Sequence, residues 1–477
     1  MRSPKTIVAG VEVESERRPV ASPFDDRVVG TAPIATPADV ERAIAVAHAA
    51  AESDRRTPRP RHHSVSVLER AALLVAQRKD EISRLICDEA GKPIALARVE
   101  VARCVDTLTT ARDVARTAEG QLLELSAYEA SADRIGLVRR VPIGAIAAIT
   151  PFNFPLNLVA HKLAPAIAAG CPVVLKPSPQ APLSAFVLGA ILLEAGLPGD
   201  HLSIVAAGND VARPLITDPR LRMLTFTGSA KVGWALRAAC GDKRCTLELG
   251  GNAAVIVDRD ADLEFAASRI AAGAFGYAGQ SCISVQRVLA HRDVFDELRA
   301  RLLESTARLG VGDPARDDVV VGPVIDDTAV DRIRATVDEA ISAGARGTSE
   351  LRVDRRLIAP FFLEGVPDSA VAFREELFAP IALLEPFDDF ERALDRADAG
   401  KYGLQAGIFT ADVGRVMRAW GRLEVGAVVH DDAPTFRADA MPYGGVKGSG
   451  AGREGPAYAF EEMTEPRLLL LRPTPRR

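Results

Sequence analysis

Only 5% of the residues are aromatic, and just two are tryptophan, too few for the stacking platforms that hold single-stranded nucleic acid. A basic excess is also missing. Against 59 Lys and Arg stand 64 Asp and Glu, a net charge of −5, so no nucleic acid is expected as a partner. A local basic pocket for a small anion stays open. No run reaches the ~18 uninterrupted apolar residues of a membrane helix. The longest apolar stretch, 158–175, is interrupted by His161, Lys162 and two prolines, and reads as a buried helix followed by a strand. The first twenty residues lack the apolar centre of a signal peptide, so a cytoplasmic protein without membrane attachment is expected. The six cysteines include no CxxC pair and no Cys/His array of zinc spacing, which predicts neither a metal site nor a disulfide framework.

What is present is a chain of 477 residues, 48% hydrophobic and 26% charged, globular in composition and long enough for about three domains. Thr36 and Pro37 read as the cap and first residue of an amphipathic helix. Helical patterns follow to about 119, those of 64–87 forming one interrupted helix or two. From about 141 the pattern changes to strand–helix alternation, and a second alternating block runs from about 260 to 435. Apolar strands between helices predict an α/β fold whose parallel sheets are covered on both faces. The piece 125–140 alternates like a strand pair. The apolar tail ending near 472 is a strand that needs a partner, and both pieces could pair at a subunit surface.

Chemistry concentrates in a few places. Cys282 stands among small residues in GQSC, between a predicted helix and strand, whereas a free cysteine taken alone is usually a small buried hydrophobe. Glu248 in LELGGN ends a predicted strand, where desolvation would raise the pKa of a carboxylate serving as a base; a solvated strand end is the other reading. Asn153 in TPFNFP is either a turn former or an amide fixed to donate to a developing oxyanion. Gly228 and Gly233 bracket a strand-to-helix turn that could seat a pyrophosphate, although this is not GxGxxG. Lys176 ends the predicted strand of VVLKPSP. Glu375 and Glu376 could be a solvated pair, and the glycine-rich 441–455 is either a flexible loop or the wall of a site.

Taken in order, TPFNFP, KPSPQAP, FTGSAKVG, LELGGN, GQSC, EELFAPI and PYGGVKGSGAGRE resemble the aldehyde dehydrogenase superfamily, over about residues 5–472. The resemblance implies a Rossmann-like cofactor domain (1–124 and 141–250), an α/β catalytic domain (251–438) and a small β oligomerisation element (125–140 and 460–472), in a homodimer or homotetramer. It implies NAD or NADP as cofactor and a small-molecule aldehyde as substrate. Cys282 corresponds to the nucleophile that forms a thiohemiacetal and then a thioester, Asn153 with the Cys282 N–H to the oxyanion hole, and Glu248 to the base for hydrolysis. Lys176 and Ser178 fall where the family holds the adenosine ribose, Gly228, Ser229 and Gly233 where it holds pyrophosphate, and Phe152, Glu376 and Phe378 around the nicotinamide.

Departures from the family pattern narrow this. Pro179 stands where an acid often contacts the ribose 2′-hydroxyl, which removes an obstacle to NADP. Phe152 replaces a common tryptophan. The stretches around Cys282 and Arg437 are most similar to lactaldehyde, phosphonoacetaldehyde and non-phosphorylating glyceraldehyde-3-phosphate dehydrogenases, whose substrates are small, polar and often anionic. Arg103 and Arg437 are the candidate anion contacts. Phe154 and Ser281 lack the positive charge that would favour a phosphonate, so a lactaldehyde-like substrate is expected first. The alternatives are a phosphorylated or sulfonated aldehyde, a CoA-acylating semialdehyde dehydrogenase, which would typically lack Glu248, and a silent structural member, which would lack the thiol, amide or base.

Overall fold

Residues 3–472 are described by the computed structural model of the protein. Two short antiparallel pairs lead into the helix Pro37–Arg56, whose start is a reciprocal cap: the Asp39 N–H donates to the Thr36 hydroxyl and the Thr36 N–H to the Asp39 carboxylate. Residues 64–87 fall on two helices, Arg61–Gln77 and Lys79–Ala90, ahead of a third, Ile94–Thr117.

Five parallel strands form the middle of the first sheet, in the order Leu202–Ile204, Val173–Lys176, Ile146–Ile149, Met223–Thr227 and Arg244–Glu248. The chain winds outward first to one side of Ile146–Ile149 and then to the other. This reversal opens a crevice at the carboxyl ends of the strands, the usual ligand position in such sheets. Thr6–Val8 and Gly450–Ala451 close the two sides in antiparallel fashion. The second sheet has six parallel strands, ordered Phe361–Glu364, Ile381–Phe387, Val285–His291, Ala253–Val257, Gln405–Phe409 and Ala427–His430. Each sheet packs an apolar core on both faces. The helix Asn157–Ala169 is buried along its whole length, with Gly170 as its left-handed C-cap. Among the described residues no helix is long and apolar enough to cross a membrane.

A third, antiparallel sheet joins Gln121–Glu124, Ile135–Pro142 and Thr464–Leu471. Two expectations change here. The strand pair does not lie within 125–140: its first strand precedes residue 125, and a 3-10 turn occupies 129–131. At the other end, 460–462 still belong to the helix Pro456–Glu462. The stretch 141–150, an unbroken buried-strand pattern in the sequence, is also divided between two strands around Gly144, whose φ of 122° only glycine adopts freely. Leu122, Leu137 and Leu468 to Leu471 are exposed on this sheet, an apolar patch of the kind that mediates association.

Candidate active site

The crevice continues into one cavity of about 960 Å³, reaching from Lys176 and Ser178 at one end to Arg103 and Arg437 at the other. Phe152, Asn153, Gly228, Ser229, Glu248, Cys282, Glu376 and Phe378 line it between these ends. Gly233 alone of the expected site residues does not. It lies one turn inside the helix Ala230–Ala239, where a β-carbon would sit 2.3 Å from Leu249 Cδ2. Its missing side chain serves helix-to-strand packing rather than ligand contact.

Cys282 is carried by a strained loop. Tyr277, Ala278 and Gly279 all have positive φ, at a cost of ~1–3 kcal/mol for each non-glycine residue. The loop is held from outside: the Tyr277 hydroxyl donates to the Ala90 carbonyl, and Gln280 Oε1 accepts the Ile325 N–H. Burial pushes the Cys282 thiol up to about 12, against the lowering effect of its 2.8 Å bond with the Tyr443 hydroxyl. The other five cysteines are unpaired and lie away from the cavity.

Asn153 Nδ2 donates to the Gln280 carbonyl at 3.0 Å, which orients the amide and leaves its second N–H available. The Cys282 N–H has no backbone acceptor among the described residues, and Asn153 and Cys282 line the same cavity. Beneath Asn153 lies a buried ion pair, Lys92 and Glu100, at 2.7 Å. Lys92 donates to the Asn153 carbonyl and Glu100 accepts the Leu156 and Asn157 N–H groups, tying the amide's loop to two helices.

Glu248 ends its strand between Thr227 and Gly450; the glycine-rich segment is therefore a wall of the site, paired into the sheet. Both Glu248 carboxyl oxygens are buried and have no hydrogen-bond partner among the described residues. Desolvation and the charge of Glu454 push its pKa well above the usual carboxylate range. Glu454 itself is held low, at about 2, chiefly by Lys162 and Arg437, whose charges outweigh its burial. Lys162 Nζ lies 3.2 Å from one of its oxygens and Arg437 Nη2 3.0 Å from the other. Beyond them Arg103 makes a bidentate contact with Asp439, which also receives His161 at 2.7 Å. Burial and Arg437 lower the pKa of His161, keeping it neutral.

At the opposite end, the first turn of Ala230–Ala239 opens on the cavity with no side-chain cap, a fit for the pyrophosphate of a dinucleotide. Glu376 accepts the Gly251 N–H at 3.2 Å and its pKa is raised by burial to about 7. A β-carbon on Gly250 would lie 2.1 Å from Glu376 Oε2, so only glycine admits that carboxylate. Glu375 bonds Lys401 and Tyr402 instead, which divides the expected pair. Phe378, at φ 47°, meets Phe152 edge to face at 6.0 Å. These groups can hold a dinucleotide, whose nicotinamide would supply a hydride acceptor.

Sequence reasoning left out Lys162, Glu454, Tyr443 and the Lys92–Glu100 pair. A signal for Lys162 existed: a lysine inside a run apolar enough to be fully buried requires a counter-charge. Tyr443 carried no signal beyond its glycine-rich surroundings.

A thiol, an amide with a free N–H and a desolvated carboxyl around one cavity suit acyl chemistry on a carbonyl. Comparison with known proteins agrees. The family model "Aldehyde dehydrogenase family" matches residues 11–469. A 3-sulfolactaldehyde dehydrogenase of Priestia aryabhattai is 38% identical, covering 96% of each chain. Aldehyde dehydrogenase 21 of Physcomitrella patens, solved with the reaction product succinate, superposes with a TM-score of 0.95 at 37% identity and 98% coverage of each chain. Glyceraldehyde-3-phosphate dehydrogenase GapN of Methanocaldococcus jannaschii, solved with NADP, gives 0.92 at 34% identity, over 96% of this chain and all of that one. A match across nearly the whole sequence, on a fold that places a thiol beside a dinucleotide cleft, makes this chain an NAD(P)-dependent member of the aldehyde dehydrogenase family.

Proposed function

We propose that the protein oxidises a short aldehyde with an anionic far end to its carboxylic acid, through a thioester on Cys282. The charge balance at the inner end of the cavity carries this reading. Arg103, Arg437 and Lys162 face two ionised carboxylates, Asp439 and Glu454, while His161 is neutral and Glu248 is pushed towards its neutral form. One positive charge is left over, and Arg437 Nε is buried without a partner among the described residues. In this reading the Cys282 thiolate adds to the aldehyde carbonyl. The second Asn153 N–H and the Cys282 N–H receive the oxyanion. A bound nicotinamide supplies the hydride acceptor that oxidation of this adduct requires. Glu248 then takes a proton from the water that cleaves the thioester, so no CoA is needed.

Steady-state rates on aldehydes of three or four carbons test the substrate class. A terminal carboxylate or sulfonate is expected to raise kcat/KM ~10–100-fold over an equally long neutral aldehyde, the effect of one charge-assisted contact. Arg103→Gln should collapse that ratio. Equal rates for charged and neutral aldehydes would remove the anion-site reading and favour a lactaldehyde-like substrate.

The cofactor end favours NADP. Lys176 is 7% exposed and its side chain has neither ion pair nor hydrogen bond among the described residues. Arg18, which also lowers the Lys176 pKa, donates to the Pro179 carbonyl and has no acidic partner among the described residues. Two cations gathered without a counter-ion suit a 2′-phosphate. Calorimetry should show 2′,5′-ADP binding more tightly than 5′-AMP, and Arg18→Gln reducing that difference ~10-fold; equal binding of the two nucleotides in the wild type would sink the preference. The exposed leucines of the three-stranded sheet suit a homodimer or homotetramer, which light scattering reads directly.

A further inference from the structure

The bond between Cys282 and Tyr443 has no place in the scheme above. Tyr443 is 2% exposed, and its backbone exchanges two hydrogen bonds with Glu454, at 3.0 and 2.6 Å. Its ring is therefore fixed. The hydroxyl lies 2.8 Å from Cys282 Sγ and no other hydrogen bond is made by either atom among the described residues. The Arg437 guanidinium stacks on the same ring, with Cζ 3.6 Å from the centroid.

We propose that Tyr443 is a further catalytic residue, whose O–H donates to the Cys282 sulfur and stabilises the thiolate before attack and again as it leaves the thioester. A phenol can donate to an anionic sulfur far more strongly than to a neutral one, because charge strengthens the acceptor. Phenylalanine would fill the same space and pack against Ile283 and Leu404 equally well, so packing does not account for the hydroxyl. Burial pushes both the thiol and the phenol up, and two adjacent anions would repel. The pair therefore carries at most one negative charge, and when the thiol ionises the neighbouring phenol proton keeps that charge on sulfur. When water cleaves the thioester, the C–S electron pair passes to sulfur, Glu248 takes the proton of the water, and the Tyr443 O–H receives the leaving thiolate.

This rests on Cys282 as the nucleophile, and the test separates the two claims. Iodoacetamide is reacted with the wild type and Tyr443→Phe from pH 6 to 11, and mass spectrometry follows the Cys282 peptide. Loss of the bond should raise the thiol pKa by about one unit. Thiolate becomes ~10-fold scarcer, but each is ~3-fold more nucleophilic. The variant should then react ~3-fold more slowly across this range, where both thiols are mostly protonated. Coincident profiles overturn the proposal, and a slower variant is separated from a purely structural role by the fluorotyrosine measurement below, which changes the phenol acidity and keeps the hydroxyl in place. Thermal melting and 2′,5′-ADP binding check that the variant is folded. Fluorotyrosine at the five tyrosines supplies a second measurement in the native sequence: a more acidic phenol should move the labelling curve to lower pH, and an unmoved curve also overturns the proposal. If Cys282→Ser still turns over aldehyde, the nucleophile reading itself has failed, whatever Tyr443 does.

Discussion

Cys282→Ser is expected to abolish aldehyde oxidation, by roughly 10⁴-fold or more, as loss of a covalent nucleophile does elsewhere. Serine has almost the same shape, so the strained turn at Tyr277–Gly279 and the donors around it should persist. The difference is chemical. An alkoxide in this desolvated pocket is far less accessible than a thiolate, even one whose thiol pKa has been pushed up to about 12. Cofactor binding should be retained, because Lys176, Ser229 and Glu376 belong to other segments. Stopped-flow absorbance at 340 nm should show no burst of reduced cofactor, with calorimetry as the binding control. Turnover at even a tenth of the normal rate would remove Cys282 from its role.

Glu248→Gln should give the second largest effect and a different signature. The burst should survive while the steady-state rate falls ~10²–10⁴-fold, the usual contribution of a general base. The distinction arises because acylation needs the thiol and the oxyanion donors, whereas hydrolysis needs a proton acceptor. The pH profile carries the sign. Burial and the Glu454 charge raise the Glu248 pKa, and only the ionised form can accept a proton. The wild-type kcat should therefore rise with pH through the shifted value, and the glutamine variant should lose that limb. An undiminished steady-state rate in Glu248→Gln would rule the carboxylate out as the base. Strict dependence on CoA in the wild type would instead assign the chain to the acylating relatives.

The arithmetic of charge and hydropathy gave no expectation of a nucleic-acid groove or a membrane helix, and among the described residues no helix is long and apolar enough to cross a membrane. Hydrophobic periodicity located both parallel sheets, because an apolar run between two helices has little alternative to a covered strand. Boundaries were less legible where one stretch serves two sheets. Residues 141–150 are continuous in pattern, yet the chain turns at Gly144 to leave the small sheet for the large one. Gly233 shows the same limit: a glycine near a helix start fits ligand approach and helix packing equally well until Leu249 is seen beneath it.

By itself, then, the sequence determined the α/β class and, by resemblance, which thiol, amide and carboxylate to consider, since these depend on residue type and local pattern. Only the tertiary structure decided their electrostatic state. Lys162 and Glu454 are 292 positions apart, and Arg103 and Asp439 are 336 apart, so no local window contains either pair. A buried group's pKa depends on its desolvation and on charges within a few ångströms, and packing alone sets both. The excess positive charge at the inner end, the unpaired Lys176 and the phenol against the thiol are therefore properties of the fold.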